Sequence, residues 1–111
     1  MEQRADRLAR NEALFREANE RIEDRVEDVE DNPDTRAPFL CECPEVDCAE
    51  RVALTLREYE RVRSEATWFL VAPGHEHLEV EDVIERHETF LLVRKRGKAG
   101  QVAHELDERS G

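Results

Sequence analysis

The sequence predicts an α+β fold: a long N-terminal helix, then a small domain with a short helix and a mostly antiparallel sheet. Three observations carry this reading. Apolar residues recur every seven positions at Leu8, Phe15, Ile22 and Val29. Short apolar runs at 51–56, 68–71 and 90–93 are separated by turn residues. Three cysteines cluster at positions 41, 43 and 48, with Pro73-Gly74-His75 further along the chain.

The helix is expected from about Gln3 to Asp31. The seven-residue period, with Ala5, Ala18 and Val26 beside it, lays one narrow apolar stripe on a highly charged rod. That period is the coiled-coil period, yet the accompanying positions hold Asn11, Ala18 and Arg25, so a zipper made of them is weak. The helix therefore lies across the folded domain or extends partly into solvent, or else pairs with a second copy through residues 3–31 or with a helix of another protein. Glu12 with Arg16 and Glu17 with Arg21 are favourable i,i+4 pairs. Pro33 ends the helix because it lacks an amide hydrogen and biases Asn32 away from helical geometry.

Thr35 to Pro38 reads as a linker, and Phe39-Leu40 as the short strand that delivers the first cysteine. Val52, Leu54 and Leu56 alternate at period two, which makes a strand. Thr55 followed by Glu58 is a capping box that starts a helix running to about Ser64, with Leu56, Tyr59 and Val62 on its buried face. Trp68 to Val71 is a buried strand stopped by Ala72-Pro73-Gly74, which leaves His75 at its end. Val80, Val83 and Ile84, then Phe90 to Val93, flank a turn at 86–89, so residues 82–95 are expected as an antiparallel hairpin rather than a helix. Three regions result: helix and linker over 1–36, a small metal-binding α+β domain over 37–96, and a flexible tail over 97–111.

Cys41, Cys43, Cys48 and His75 are a complete tetrahedral ligand set for zinc, which takes thiolate and imidazole donors. The Cys-x-Cys spacing is tighter than the common zinc knuckle, so these ligands must come from an extended segment. His77 is the alternative fourth ligand. An iron–sulfur centre is the alternative metal group, although one imidazole among three thiolates is commoner for zinc. A core of some sixty residues is marginal on its own, so one structural zinc ion is expected to hold the domain together.

The 111 residues carry a formal charge of −11, with 41% charged and 39% hydrophobic residues. The acidity is spread along the chain, with −5 on residues 1–36, −5 on 37–96 and −1 on the rest. Such a field disfavours direct binding to nucleic acid and to anionic membranes. It provides solubility, or a surface for a basic protein partner. Arg94-Lys95-Arg96 with Lys98 is the only basic cluster, read as a solubility device at the end of an edge strand. No apolar run is long enough to span a membrane, and Met1-Glu2-Gln3-Arg4 has no hydrophobic signal core, which points to a cytoplasmic protein with reduced thiols.

Phe39-Leu40-Cys41-Glu42-Cys43 with Cys48, the run from Leu54 to Arg63 and Pro73-Gly74-His75-Glu76 together resemble an uncharacterised family of small bacterial proteins. Members share a Phe-x-Cys-x-Cys-x4-Cys stretch, a Leu-Thr-x-x-Glu-Tyr-Glu-x-Val-Arg helix start and a Pro-Gly-His-Glu turn. The likeness extends over roughly residues 10–96, departs at Pro44, where a Gly often follows the second Cys, and implies no activity. No nucleophile arrangement, phosphate loop or dinucleotide fingerprint is legible. The expected function is a non-enzymatic interaction or regulatory module, acting through the N-terminal helix or the acidic surface. A thiol-based redox or metal sensor is the alternative, and a zinc hydrolase with an open metal position and Glu76 as base is the second.

Overall fold

The structure, a computed structural model, describes residues 2–30, 32–45, 48–107 and 109, with side chains at residue 10 and from residue 12 onward. The expected helix end at Asp31 and the side chains of Ala5, Leu8 and Asn11 lie outside the described residues.

Helix α1 (Glu2–Val29) leads into strand β1 (Arg36–Leu40), β2 (Arg51–Thr55), α2 (Leu56–Val62), β3 (Trp68–Val71), β4 (Glu81–Arg86), β5 (Leu91–Lys95) and α3 (Gly97–Glu105). The expected α+β architecture is present. At 1.5 Å per residue α1 is about 42 Å long, which matches the longest dimension of the molecule, 43 Å.

β1 and β2 pair antiparallel with Phe39 opposite Val52. β3, β5 and β4 form a second antiparallel sheet in that order, and the hairpin predicted for 82–95 is β4 and β5, with a bulge between Val83 and Glu85. A backbone bond from Glu42 N–H to Leu70 O, 2.8 Å, ties the chain after β1 to the edge of β3. Between the sheets lies a core that includes Phe39, Leu54, Tyr59, Phe69, Leu70 and Leu92, with Phe39 stacked on Tyr59 at 4.4 Å. The Thr55–Glu58 capping box starts α2, and Leu56, Tyr59 and Val62 are its buried residues, as the pattern predicts.

Several expectations need correction. The segment read as a linker from Thr35 to Pro38 already pairs as β1 from Arg36, with Ala37 opposite Leu54. The region expected to be a flexible tail forms α3, which buries Ala99, Gly100, Val102 and Ala103. Small residues pack closely here without forming a stripe that reads as hydrophobic.

The third correction concerns α1. Among the described side chains the buried ones are Glu12, Ala13, Arg16, Asn19 and Glu23, whereas Val29 is 84% exposed and Phe15 and Ile22 are half-buried. Ile22 and Val26 of the expected stripe pack partly buried against the core, but the fully buried contacts of the helix are a polar seam at helical spacing. Arg16 donates to Ala66 O at 2.7 Å and to Ala103 O at 2.8 Å while its guanidinium lies 4.5 Å from the centre of the Phe69 ring. Glu12 and Glu81 both pair with Lys95, and all three side chains are fully buried. Glu12 and Arg16 therefore face inward rather than forming a surface pair. Lys95 is likewise no solubility device: β5 is the central strand of its sheet.

Candidate metal centre

Three segments deliver the four candidate ligands. Beyond β1 the antiparallel ladder continues for one more residue, because Cys41 N–H donates to Glu50 O at 3.0 Å. Extended backbone alternates its side chains, which places the thiols of Cys41 and Cys43 on one side and Glu42 on the other. Cys48 is fixed by its N–H to Glu45 O, 3.0 Å.

His75 arrives by a turn. Its N–H donates to Ala72 O at 2.9 Å, and Gly74 has φ of +91°. Proline at the second position and a positive-φ glycine at the third are what a type II turn requires. The Glu76 carboxylate secures that turn by accepting from Gly74 N–H at 2.9 Å.

The Sγ atoms of Cys41, Cys43 and Cys48 and a ring nitrogen of His75 all lie within 4.8 Å of one another. His75 Nδ1 is 3.6 Å from Cys41 Sγ and 3.6 Å from Cys48 Sγ. A tetrahedral ion with metal–sulfur bonds of about 2.3 Å and metal–nitrogen bonds of about 2.05 Å has sulfur–nitrogen edges of about 3.6 Å. The thiols are unpaired, and the cluster has the size and donor set of a metal site. His77 stands outside it, with its ring nitrogens 3.7 Å from Glu45 and from Glu79. His75 is therefore the imidazole brought to the thiols.

The site is graded in depth. Cys41 and Cys43 are buried, at 1% and 0% exposure, while Cys48 and His75 are half-buried and form the outer side. A hydrogen bond from Cys41, assisted by His75, holds the Cys43 thiol down at about 4. The Cys41 thiol is correspondingly pushed above the ordinary thiol range, and burial raises Cys48. Ala72 N–H adds a bond to Cys41 Sγ at 3.2 Å. Of the three thiols Cys43 is thus the one its surroundings hold lowest, and thiolate is the ligand form.

Sequence reasoning missed the residues behind the ligands. Glu42 is fully buried, with Oε2 accepting from Asn19 Nδ2 at 2.8 Å and Oε1 from Leu70 N–H at 3.1 Å. Asn19 also donates to Leu40 O at 2.9 Å and accepts from Leu40 N–H at 2.7 Å, so its amide caps the free edge of β1. Burial raises the Glu42 carboxyl to about 7, against the pull of Asn19, Leu70 and the guanidinium groups of Arg16 and Arg63. The signal was available: a residue between two ligands on extended chain must point away from the metal.

Among the described residues no helix is long and apolar enough to cross a membrane. Comparison with protein-family models, curated proteins and solved structures gives no match.

Proposed function

We propose that this protein is a zinc-clipped, non-enzymatic interaction or regulatory module, in which one structural zinc at Cys41, Cys43, Cys48 and His75 holds the segment between β1 and β2 against β3. The observation that carries this is the closure of the ligand set: four protein donors gather with 3.6 Å sulfur–nitrogen edges. Three thiolates with one imidazole favour zinc over an iron–sulfur cluster, and a filled tetrahedron is the mark of a structural site. Glu76 is engaged in its turn, which weakens its claim as a general base. Zinc supplies cross-linking here, while the chain supplies the oriented donors and the buried Glu42–Asn19 support. The acidic surface, with a net charge of −11, suits a basic protein partner.

The test is metal content by native mass spectrometry on protein purified without added zinc. One zinc per chain is expected, with a tetrahedral thiolate spectrum on cobalt substitution and a large fall in melting temperature on chelation. A cobalt spectrum with an open, water-bound position, or a melting temperature indifferent to chelation, defeats the structural reading.

A second reading, the redox sensor, draws on the half-exposure of Cys48. Peroxide taking two electrons would be reduced to water as Cys48 and a neighbouring thiolate close a disulfide and release the metal. Full zinc retention under peroxide removes it.

A further inference from the structure

α1 carries a second face. Arg10, Leu14, Glu17 and Arg21 recur at the same spacing as the buried Glu12, Arg16, Asn19 and Glu23 but two residues earlier, which turns them about 200° away. Leu14 is 59% exposed there, and beside it Leu106, the residue that caps α3, is 38% exposed. Between the two helices lies a groove of about 240 Å³ lined by Arg10, Ala13, Leu14, Glu17 and Leu106.

Four of those five residues stand at i, i+3, i+4 and i+7. That diamond is the hole into which a facing helix inserts a side chain in knobs-into-holes packing. Its long diagonal runs from a cation, Arg10, to an anion, Glu17. A helix running parallel in the same register would set Arg10 over Arg10 and Glu17 over Glu17. Running antiparallel about a two-fold axis, each copy sets Arg10 over the other's Glu17 and Leu14 over the other's Ala13. The diamond is thus self-complementary in charge and in shape, as an isologous contact must be. With a net charge of −11, two copies repel across most other surfaces, so a face that is not acidic, with Arg10 and Glu17 balanced and Arg21 beside them, is where they can meet.

We propose that this face is the seat of an antiparallel α1–α1 homodimer, with Leu14 of each copy filling the groove beside Leu106 of the other. The contact is independent of the metal's identity and lies on a different side of α1 from the residues that dock it on the sheet.

The test uses the full chain in sedimentation and light-scattering measurements over a concentration series. Wild-type protein is expected to go from monomer to dimer, and Leu14→Glu to weaken association by at least about tenfold through loss of both buried leucines. Arg10→Glu and Glu17→Arg should each fail to self-associate and, when mixed in equal amounts, recover a one-to-one dimer, because positions 10 and 17 then set opposite charges over each other across the contact. Circular dichroism and melting temperature report that each variant is folded; Leu14→Gln serves if Leu14→Glu is not. A wild-type chain that stays monomeric up to its solubility limit overturns the proposal. So does undiminished association of a folded Leu14 variant, or two folded charge variants that do not pair on mixing.

Discussion

Asn19 on α1 donates its side-chain amide to Glu42 Oε2 at 2.8 Å, and Glu42 stands between the metal-facing thiols of Cys41 and Cys43. One hydrogen bond thus joins the long helix to the candidate metal centre. Asn19→Ala would leave the Leu40 N–H and C=O and a Glu42 oxygen without this partner. Each buried polar group so stranded costs about 1–3 kcal/mol. The expected result is a loss of about 2–4 kcal/mol in denaturant unfolding together with weaker metal binding in a chelator competition. Asn19→Asp should be no better, since it keeps the acceptor for Leu40 but sets a carboxylate against Glu42. Unchanged metal affinity in a destabilised Asn19→Ala would separate the helix from the site.

The two histidines of the 73–80 loop should separate cleanly. His75→Ala removes a donor 3.6 Å from two thiols, so zinc affinity should fall by at least about tenfold, the scale at which even residues supporting metal ligands act. His77→Ala removes a half-buried ring whose ion-pair partners among the described residues, Glu45 and Glu79, stand 3.7 Å away and are themselves largely exposed, and pairs with exposed carboxylates are worth little. Its affinity should stay within about twofold of wild type. Competition with a chromophoric chelator measures both, and equal losses would mean that the ligand is misassigned.

What was legible in the sequence was what local rules control. Thr55 and Glu58 announced their capping box, Pro73-Gly74 announced the turn that presents His75, and the hairpin of β4 and β5 followed from two apolar runs around a turn. Ile22 and Val26 of the predicted stripe do pack on the core, but the polar part of the docking face of α1 was not legible. A period search assigns Glu12, Arg16, Asn19 and Glu23 to water, yet these residues are buried against carbonyls, opposite charges and the Phe69 ring. Their partners, Lys95, Ala66 and Ala103, lie far along the chain, and no local pattern connects them. α3 was missed for a related reason, because alanine and glycine pack by closeness rather than by apolar bulk.

Gly100 shows how close. A Cβ built there would lie 3.0 Å from Lys95 O and 3.3 Å from Lys95 C, both backbone atoms. Gly100→Ala gains about 1 kcal/mol of helix propensity. Pushing α3 off the end of β5 costs about 1–3 kcal/mol and disturbs the burial of Lys95, so the clash should win. A lower melting temperature is expected, and a higher one would show that α3 yields freely.

The buried ion cluster under α1 makes a pH prediction of definite sign. Burial holds the Glu12 carboxyl up at about 7, above its ordinary 4.5, against the pull of Lys95 and with Glu42 adding repulsion. The groups that act on it are Lys95 on β5, whose ammonium burial pushes down, Glu81 on β4 through that same Lys95, and Glu42 and Cys43 after β1. Between pH 4.5 and 7 the unfolded chain releases the Glu12 proton while the folded chain keeps it. Stability from this group is therefore fully present below pH 4.5 and falls as pH rises to about 7, with a slope of up to about 1.4 kcal/mol per pH unit. Glu85 works in the opposite sense and in another window. Arg61 and His87 hold it down at about 2, so its contribution is lost as pH falls from 4.5 toward 2. Glu12→Gln still offers Lys95 an oxygen but has no proton to hold. The stability of this variant relative to wild type should rise from pH 4.5 to 7 and then level off. Denaturant unfolding of both proteins across that range checks it, because acid weakening of the metal site is common to both and cancels in the difference. A difference independent of pH would mean that Glu12 is ionised throughout beside Lys95, and that the cluster is an ion pair with a spare carboxylate rather than a proton-holding one.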